Sequence, residues 1–290
     1  MFKRVRLSVR RGSNGLQIPW ESTSLEEDFW FVPPKALKKL AEAEIEREFK
    51  IELDLWEKIK AATQLDPLED FLRRYPNGRF SELAQLRLDQ VLARQGEKKI
   101  QVISSPENPY SKGTVAANTA YKIGDSYSYI PVDTLTKLEG EPFTRRVTGF
   151  TDTEVIFNNG NFITDLLGNR LKVGGEIWSA NQTVPTEFVV GKRWGTRFRR
   201  TLRGIDSTVE IELVIAAREQ ITVPAGTFYA FRVDARGWHH YPGNTLSWDW
   251  KNWYAPEQVR QPVALAWLTR NQWGGFSTTI GAKLLAFSQL

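Results

Sequence analysis

From about residue 121 to the end, the sequence is a succession of short alternating apolar and polar runs broken by turn residues, and no other feature constrains the fold as much. A period of two sends successive side chains to opposite faces of a strand, so each run can bury one face and wet the other. Runs at 126–130, 154–157, 208–215 and 229–233 have this character. Asn158-Asn159-Gly160 ends one of them, Leu167-Gly168-Asn169 marks a turn, and Pro224-Ala225-Gly226 separates a pair. Many short strands at such spacing predict a mainly antiparallel β-rich domain over 121–290, barrel-like or sandwich-like.

The residues before it have a different period. Over 35–100, Leu37, Leu40, Ile45, Phe49, Leu53, Trp56 and Ile59 form one apolar stripe, with Glu and Lys on the remaining positions. Asp66-Pro67 with Glu69 reads as an N-cap, a proline at the first helical position and a capping-box acid. That helix carries Leu68, Phe71 and Leu72 and stops near Asn77-Gly78. A further helix holds Phe80, Leu83, Ala84, Leu86, Leu88, Val91 and Leu92, so the two form a helical hairpin, a unit that packs on something else. The fold class expected is α+β: residues 1–34, a helical spacer at 35–100, a linker at 101–120 and the β-rich domain at 121–290.

Composition narrows the function. At 290 residues, with 41% hydrophobic and 25% charged side chains, the chain can bury a real core. It has no cysteine, which removes disulfides, thiolate metal sites and a cysteine nucleophile together. The net charge is +5 and the pI about 9.3, but both signs are interspersed, and the densest basic run (Lys3, Arg4, Arg6, Arg10, Arg11) is short. No nucleic-acid partner is expected from such a surface. No apolar run approaches the ~20 residues of a membrane span. The N-terminal stretch has the charge but not the apolar stretch of a signal peptide, so the expected location is cytoplasmic as written, and periplasmic or envelope if the true start lies upstream.

Candidate chemistry is sparse. His239-His240 is the only histidine pair; on a strand the two rings diverge, and neither a His-Glu-x-x-His pattern nor a cysteine supports a metal. A Ser-His-Asp site would have to use one of them, without a Gly-x-Ser-x-Gly elbow. No phosphate-binding or dinucleotide glycine loop is present. Asp249 and Glu257 flank a tryptophan-rich stretch, but two acids near aromatics make a weak signal for glycoside chemistry. Eight of the eleven tryptophans fall in the β-rich part, and Trp248-Asp249-Trp250 places two indoles on one strand face. They can form a platform for a sugar or peptide, or fill the core. The candidate ligand-binding residues are therefore Trp248, Trp250, Trp253 and His239, with no catalytic residue, no metal and no cofactor.

Three parts of the chain carry resemblances. Met1-Phe2-Lys3-Arg4-Val5-Arg6, then Gly15-Leu16-Gln17-Ile18-Pro19-Trp20-Glu21-Ser22-Thr23-Ser24-Leu25, then Asp28-Phe29-Trp30-Phe31, resemble the C-terminal end of a bacterial caspase-like peptidase domain of family C14. The element from Phe71 to Phe80 resembles the tetratricopeptide-like helical module found after such domains. The resemblance implies a chain that begins downstream of the peptidase's His and Cys, with a remnant of that domain at 1–34 and a non-catalytic role in binding a partner such as a caspase-like catalytic chain. Val223 to Val233 and Trp253-Tyr254-Ala255-Pro256-Glu257 are similar to β-domains of bacterial exported proteins, a likeness that brings no chemistry. The alternative expectation is a stand-alone envelope protein whose β-domain binds a lipid, glycan or peptide. An unrecognised hydrolase in the β-domain is the third.

Overall fold

The computed structural model describes residues 42–96 and 113–290, and the chain divides into two compact units, 1–112 and 113–290. The stretch matched to a caspase-like domain, 1–34, lies outside the described residues, as do Leu37, Leu40 and 97–112.

The helical unit contains α1 (Glu42–Ile59), α2 (Asp66–Arg74) and α3 (Ser81–Arg94). The stripe on α1 buries Phe49, Leu53 and Trp56, four and three residues apart, against Phe71 of α2 and Phe80. Trp56 and Phe80 stack at 6.4 Å and 9°. The start of α2 differs from the expected capping box: Leu65 is already helical, its carbonyl accepts from Leu68 and Glu69, and Asp66 sits inside the first turn. There the two acids, Asp66 and Glu69, favour the positive end of the helix instead of capping it. Glu52 is one of the buried polar residues of this core; its carboxylate accepts the Phe80 N–H at 3.2 Å, and burial raises its pKa.

The second unit is a closed antiparallel barrel of twelve strands: β2 (Ser126–Asp133), β3 (Phe143–Phe150), β4 (Glu154–Phe157), β5 (Phe162–Asp165), β6 (Arg170–Val173), β7 (Glu176–Trp178), β9 (Arg193–Leu202), β10 (Ile205–Val223), β11 (Gly226–Tyr241), β12 (Asn244–Tyr254), β13 (Ala264–Arg270) and β14 (Phe276–Ser288). Neighbours in sequence pair as hairpins, and β14 pairs with β2 while β9 pairs with β10, which closes the ring. The expected choice between barrel and sandwich is thus resolved as a barrel, which leaves no free sheet edge. A two-stranded ladder, β1 (Val115–Ala116) with β8 (Glu187–Phe188), lies beside it, so residues 113–120 belong to the β unit and are not all linker.

Turn chemistry sets the register. At the β9–β10 hairpin Arg203 and Gly204 have φ of 53° and 76°, the two positive values that a tight turn matching strand twist requires. The strands are unequal: β10 and β11 run 19 and 16 residues, whereas β4 to β7 have three or four. One end is closed by buried side chains of the connections at 179–192 and 255–263 together with Tyr121. The hairpin tips at the opposite end carry exposed apolar side chains, among them Leu138, Leu202, Ile205, Trp273 and Phe276.

Candidate functional site

Paired residues in an antiparallel ladder share a face, so the register identifies what points inward. Trp248 pairs with Gly237 and Thr269, Trp250 with Ala235 and Trp267, and Asn252 with Val233 and Leu265. These belong to one inward face, with Tyr254 two residues on. Phe143, Arg145 and Val147 alternate inward on β3 opposite Tyr129 and Tyr127, and Arg200 of β9 pairs with Trp178 on one side and Ser207 on the other.

Three arginines on this face carry the site. The Arg200 guanidinium lies 4.9, 5.3 and 5.8 Å from the ring centres of Trp178, Trp248 and Trp267 and forms a short ion pair with Glu176. Arg170 lies 5.7 and 5.8 Å from Trp178 and Trp267. Arg145 lies 4.1 Å from Phe162 and 5.3 Å from Tyr129. Among the described residues, neither Arg145 nor Arg170 has an ion pair or a side-chain hydrogen bond, only ring faces. Burial lowers the pKa of both; Arg170 is brought down to about 10, with Arg145 and Arg200 as neighbouring positive charges that add to the effect. Both stay charged at neutral pH.

The indoles around them are also incompletely bonded. Trp248 stacks on Trp267 at 4.7 Å and meets Trp178 edge-on at 6.4 Å, and Trp178 stacks on Phe198. The Nε1 atoms of Trp178, Trp248 and Trp267 are buried and without a hydrogen-bond partner. By contrast the Trp250 indole donates to Asn252, whose amide donates to the Tyr254 hydroxyl at 2.8 Å.

His239 is 1% exposed, 5.3 Å from Trp248, and fully engaged. Arg200 Nη1 donates to its Nδ1 at 3.0 Å, so Nε2 carries the proton and donates to Ser207 Oγ at 2.8 Å; Ser207 in turn donates to the Arg200 carbonyl at 3.1 Å. Burial first, then Arg200 and His240, hold the imidazole near pKa 3. A serine beside a histidine is the start of a nucleophilic site, but here the hydroxyl proton points away from the ring. A cation also sits where a triad has its orienting carboxylate.

The structure thus gathers three of the four expected positions on one face, His239, Trp248 and Trp250, and separates the fourth. Trp253 alternates to the other face, where its indole donates to Glu219 at 2.8 Å. His240 is exposed and diverges from His239. Arg145, Arg170, Arg200, Trp178 and Trp267 were not among the residues expected from the sequence. The signal for Arg145 and Arg200 is an arginine at the apolar phase of a strand, flanked two residues away by Phe143 and Val147 or by Phe198.

No protein-family model matches the chain, and neither does any curated protein. Among solved structures it is similar to a candidate exported protein with a YmcC-like fold from Bacteroides fragilis, at 12% identity and a TM-score of 0.39 over 60% of this chain and all of that one. It is likewise similar to a candidate lipoprotein from Parabacteroides distasonis, at 12% identity and a TM-score of 0.37 with the same coverage. The resemblance to a C14 caspase-like peptidase is corrected: no family model supports it, and the described β unit is a closed barrel. Among the described residues no helix is long and apolar enough to cross a membrane.

Proposed function

We propose that the β unit is a non-catalytic ligand-binding barrel of a stand-alone envelope protein, taking a small molecule into its inward face near the end that bears the exposed apolar hairpin tips. One observation carries this reading: two guanidiniums without an ion-pair or hydrogen-bond partner and three indole N–H groups without an acceptor converge inside the same barrel. Unmatched buried donors and charges cost stability, and such costs concentrate where a ligand supplies the missing partners. Binding without turnover is favoured because Ser207 and His239 are hydrogen-bonded in the wrong sense for nucleophilic attack, and an imidazole held near pKa 3 is a poor general base at neutral pH. A chain free of cysteine also has nothing to oxidise in an oxidising compartment, in keeping with the envelope.

The test is native mass spectrometry of the full chain, purified from its host, followed by thermal-shift screening against small molecules of every charge class. A co-purifying adduct or a ligand-dependent rise in Tm is expected, with no hydrolysis of ester, peptide or glycoside substrates. A chain that binds nothing in either experiment refutes the reading, and turnover abolished by Ser207→Ala refutes its non-catalytic part. Fractionation that finds the protein only in the cytosol would remove the envelope assignment alone.

A further inference from the structure

Building on the reading of the β unit as a ligand-binding barrel, we infer that its ligand is an oxyanion-headed amphiphile: a carboxylate or phosphate group seated at Arg145 and Arg170, with an apolar body extending past Trp267 and Ile280 towards the exposed hairpin tips.

The charge on the inward face selects the head group. Arg200 is already matched by Glu176. The Asp165 carboxylate is held by its own turn, accepting from the backbone of Leu167 and Asn169 at 2.9 Å and from the Asn169 side chain at 2.7 Å. Glu176 also acts on Arg170, so three guanidiniums share one carboxylate, and the inward face keeps an excess of positive charge over aromatic faces. A cationic ligand would be repelled, and a neutral one would leave that excess uncompensated. An oxyanion accepts several N–H bonds at once and matches the guanidinium fork, and such charge-assisted bonds are about twice as strong as neutral ones.

The donors point to the same chemistry. The three orphaned indole nitrogens cluster where Arg170 lies within 6 Å of both Trp178 and Trp267. Indole N–H groups can only donate, so their missing partner is an acceptor. Arg145 and Arg170 are half-buried rather than sealed, which leaves their forks accessible.

The body follows from what lies between this cluster and the end that bears the exposed apolar hairpin tips. Ile280 pairs with Trp267 and shares its inward face, yet it is 54% exposed. Phe143 occupies the same kind of position above Arg145. Large apolar side chains left wet at inward register positions, beside apolar hairpin tips, fit a hydrocarbon or ring system and not a sugar, which needs polar partners at every hydroxyl. The same head chemistry occurs in membrane lipids and in soluble amphiphiles.

The experiment titrates the full chain, by tryptophan fluorescence and calorimetry, with dodecyl phosphate, dodecanoate, dodecanol, dodecyltrimethylammonium and inorganic phosphate. Sedimentation with phosphatidylcholine vesicles, with and without phosphatidylglycerol, runs alongside. Dodecyl phosphate and dodecanoate are expected to bind; dodecyltrimethylammonium is not, and inorganic phosphate binds far more weakly for want of a body. Arg170→Met should weaken dodecyl phosphate by about 10-fold, and the double variant with Arg145→Met by about 100-fold, the loss of one and two charge-assisted contacts. Arg236→Met, on an exposed side chain, should change nothing. Vesicle binding that needs phosphatidylglycerol and both arginines assigns the ligand to the bilayer, whereas binding of the soluble probes alone assigns it to a free amphiphile. Dodecanol or dodecyltrimethylammonium binding as tightly as dodecyl phosphate, or unchanged affinity in folded Arg145→Met/Arg170→Met protein, overturns the oxyanion assignment while leaving a ligand-binding barrel. If no probe binds and no adduct is found, both fall.

Discussion

Arg170→Met separates a residue kept for binding from one kept for the fold, because the two roles predict opposite changes in stability. Held at about 10, below the usual guanidinium range, the charged form is disfavoured in the native barrel by about 3 kcal/mol relative to the unfolded chain. Its two ring contacts, at 5.7 and 5.8 Å, return about 0.5–1 kcal/mol each. The balance is a native-state cost on the order of 1–2 kcal/mol that a methionine does not incur. Methionine also keeps most of the stem's volume and sets a thioether against Trp178 and Trp267, a favourable neighbour for an aromatic ring. For a unit spanning 113–290, this corresponds to a rise in Tm of about 3–6 °C. Thermal unfolding followed by near-ultraviolet circular dichroism measures it in the absence of ligand. A fall of about 4 °C or more would mean that Arg170 braces the indole cluster, and the argument from an uncompensated charge would fail. Arg170→Lys is the companion variant: the charge remains but the planar fork is lost, so the protein should regain no stability and still bind dodecyl phosphate less well.

Three further outcomes follow from the same geometry. His239 is neutral in the fold with a pKa near 3 against 6.5 for the free group, so the unfolded chain binds more protons between those values; stability is therefore full above about pH 6.5 and falls as the pH drops, by about 2 kcal/mol at pH 5. That is the contribution of His239 alone, because burial raises Asp165 to about 7 and works in the opposite sense over the same range; denaturant titrations from pH 7 to 4 should therefore show the loss as the difference between the protein and His239→Gln. Gly237→Ala should prevent folding or lower Tm by more than 10 °C, because a Cβ there overlaps the Glu210 carbonyl and comes within 2.7 Å of Ile211 Cα, both backbone atoms in the adjacent strand; a soluble variant with unchanged Tm would contradict the register of β10 against β11. Asp125→Ala should cost about 3–5 kcal/mol by stranding Arg260 and freeing the N–H groups of Lys122 and Leu290, measured as a drop in chemical-denaturation midpoint.

The class of the β unit was legible because its determinants are local. Alternation in 126–130 or 208–215 and the Asn-Asn-Gly turn at 158–160 specify strands and hairpins within a few residues. Closure was not legible, since pairing β14 with β2 joins residues about 150 positions apart and no local pattern encodes it. The site divides in the same way. Trp248 and Trp250 shared a face by simple alternation, and Trp253 left that face by the same rule. Arg145, Arg170 and Trp178 could not be brought to Trp267 without the ring, because they come from β3, β6 and β7, and the last two, with four and three residues, are too short to show a clear period. The resemblance at the N-terminus failed for a related reason: short motifs rich in Pro, Trp and Ser carry turn preferences common to many folds, and no catalytic dyad accompanied them.

The barrel itself supplies the control for reading Arg145 and Arg170 as binding groups. At the closed end Arg260, also largely buried, meets Asp125 at 2.6 Å, and that carboxylate accepts further bonds from the Lys122 and Leu290 N–H groups. Tyr121 beside it donates to the Arg260 carbonyl and accepts from Gln261, so the polar groups named there are all partnered. The same fold can therefore complete a buried guanidinium when the role is structural. Towards the other end it does not: two guanidiniums face only rings, and three indole nitrogens nearby face nothing. If these groups were incidental to packing, deficits would be scattered around the ring in proportion to buried polar area. Of the seven buried side-chain atoms without a partner among the described residues, three are indoles of this one cluster and Thr269, paired with Trp248, adds a fourth. The clustering of four of these deficits, against a single unpartnered Nε of Arg218 towards the closed end, locates the surface at which an acceptor from outside the chain would complete the core.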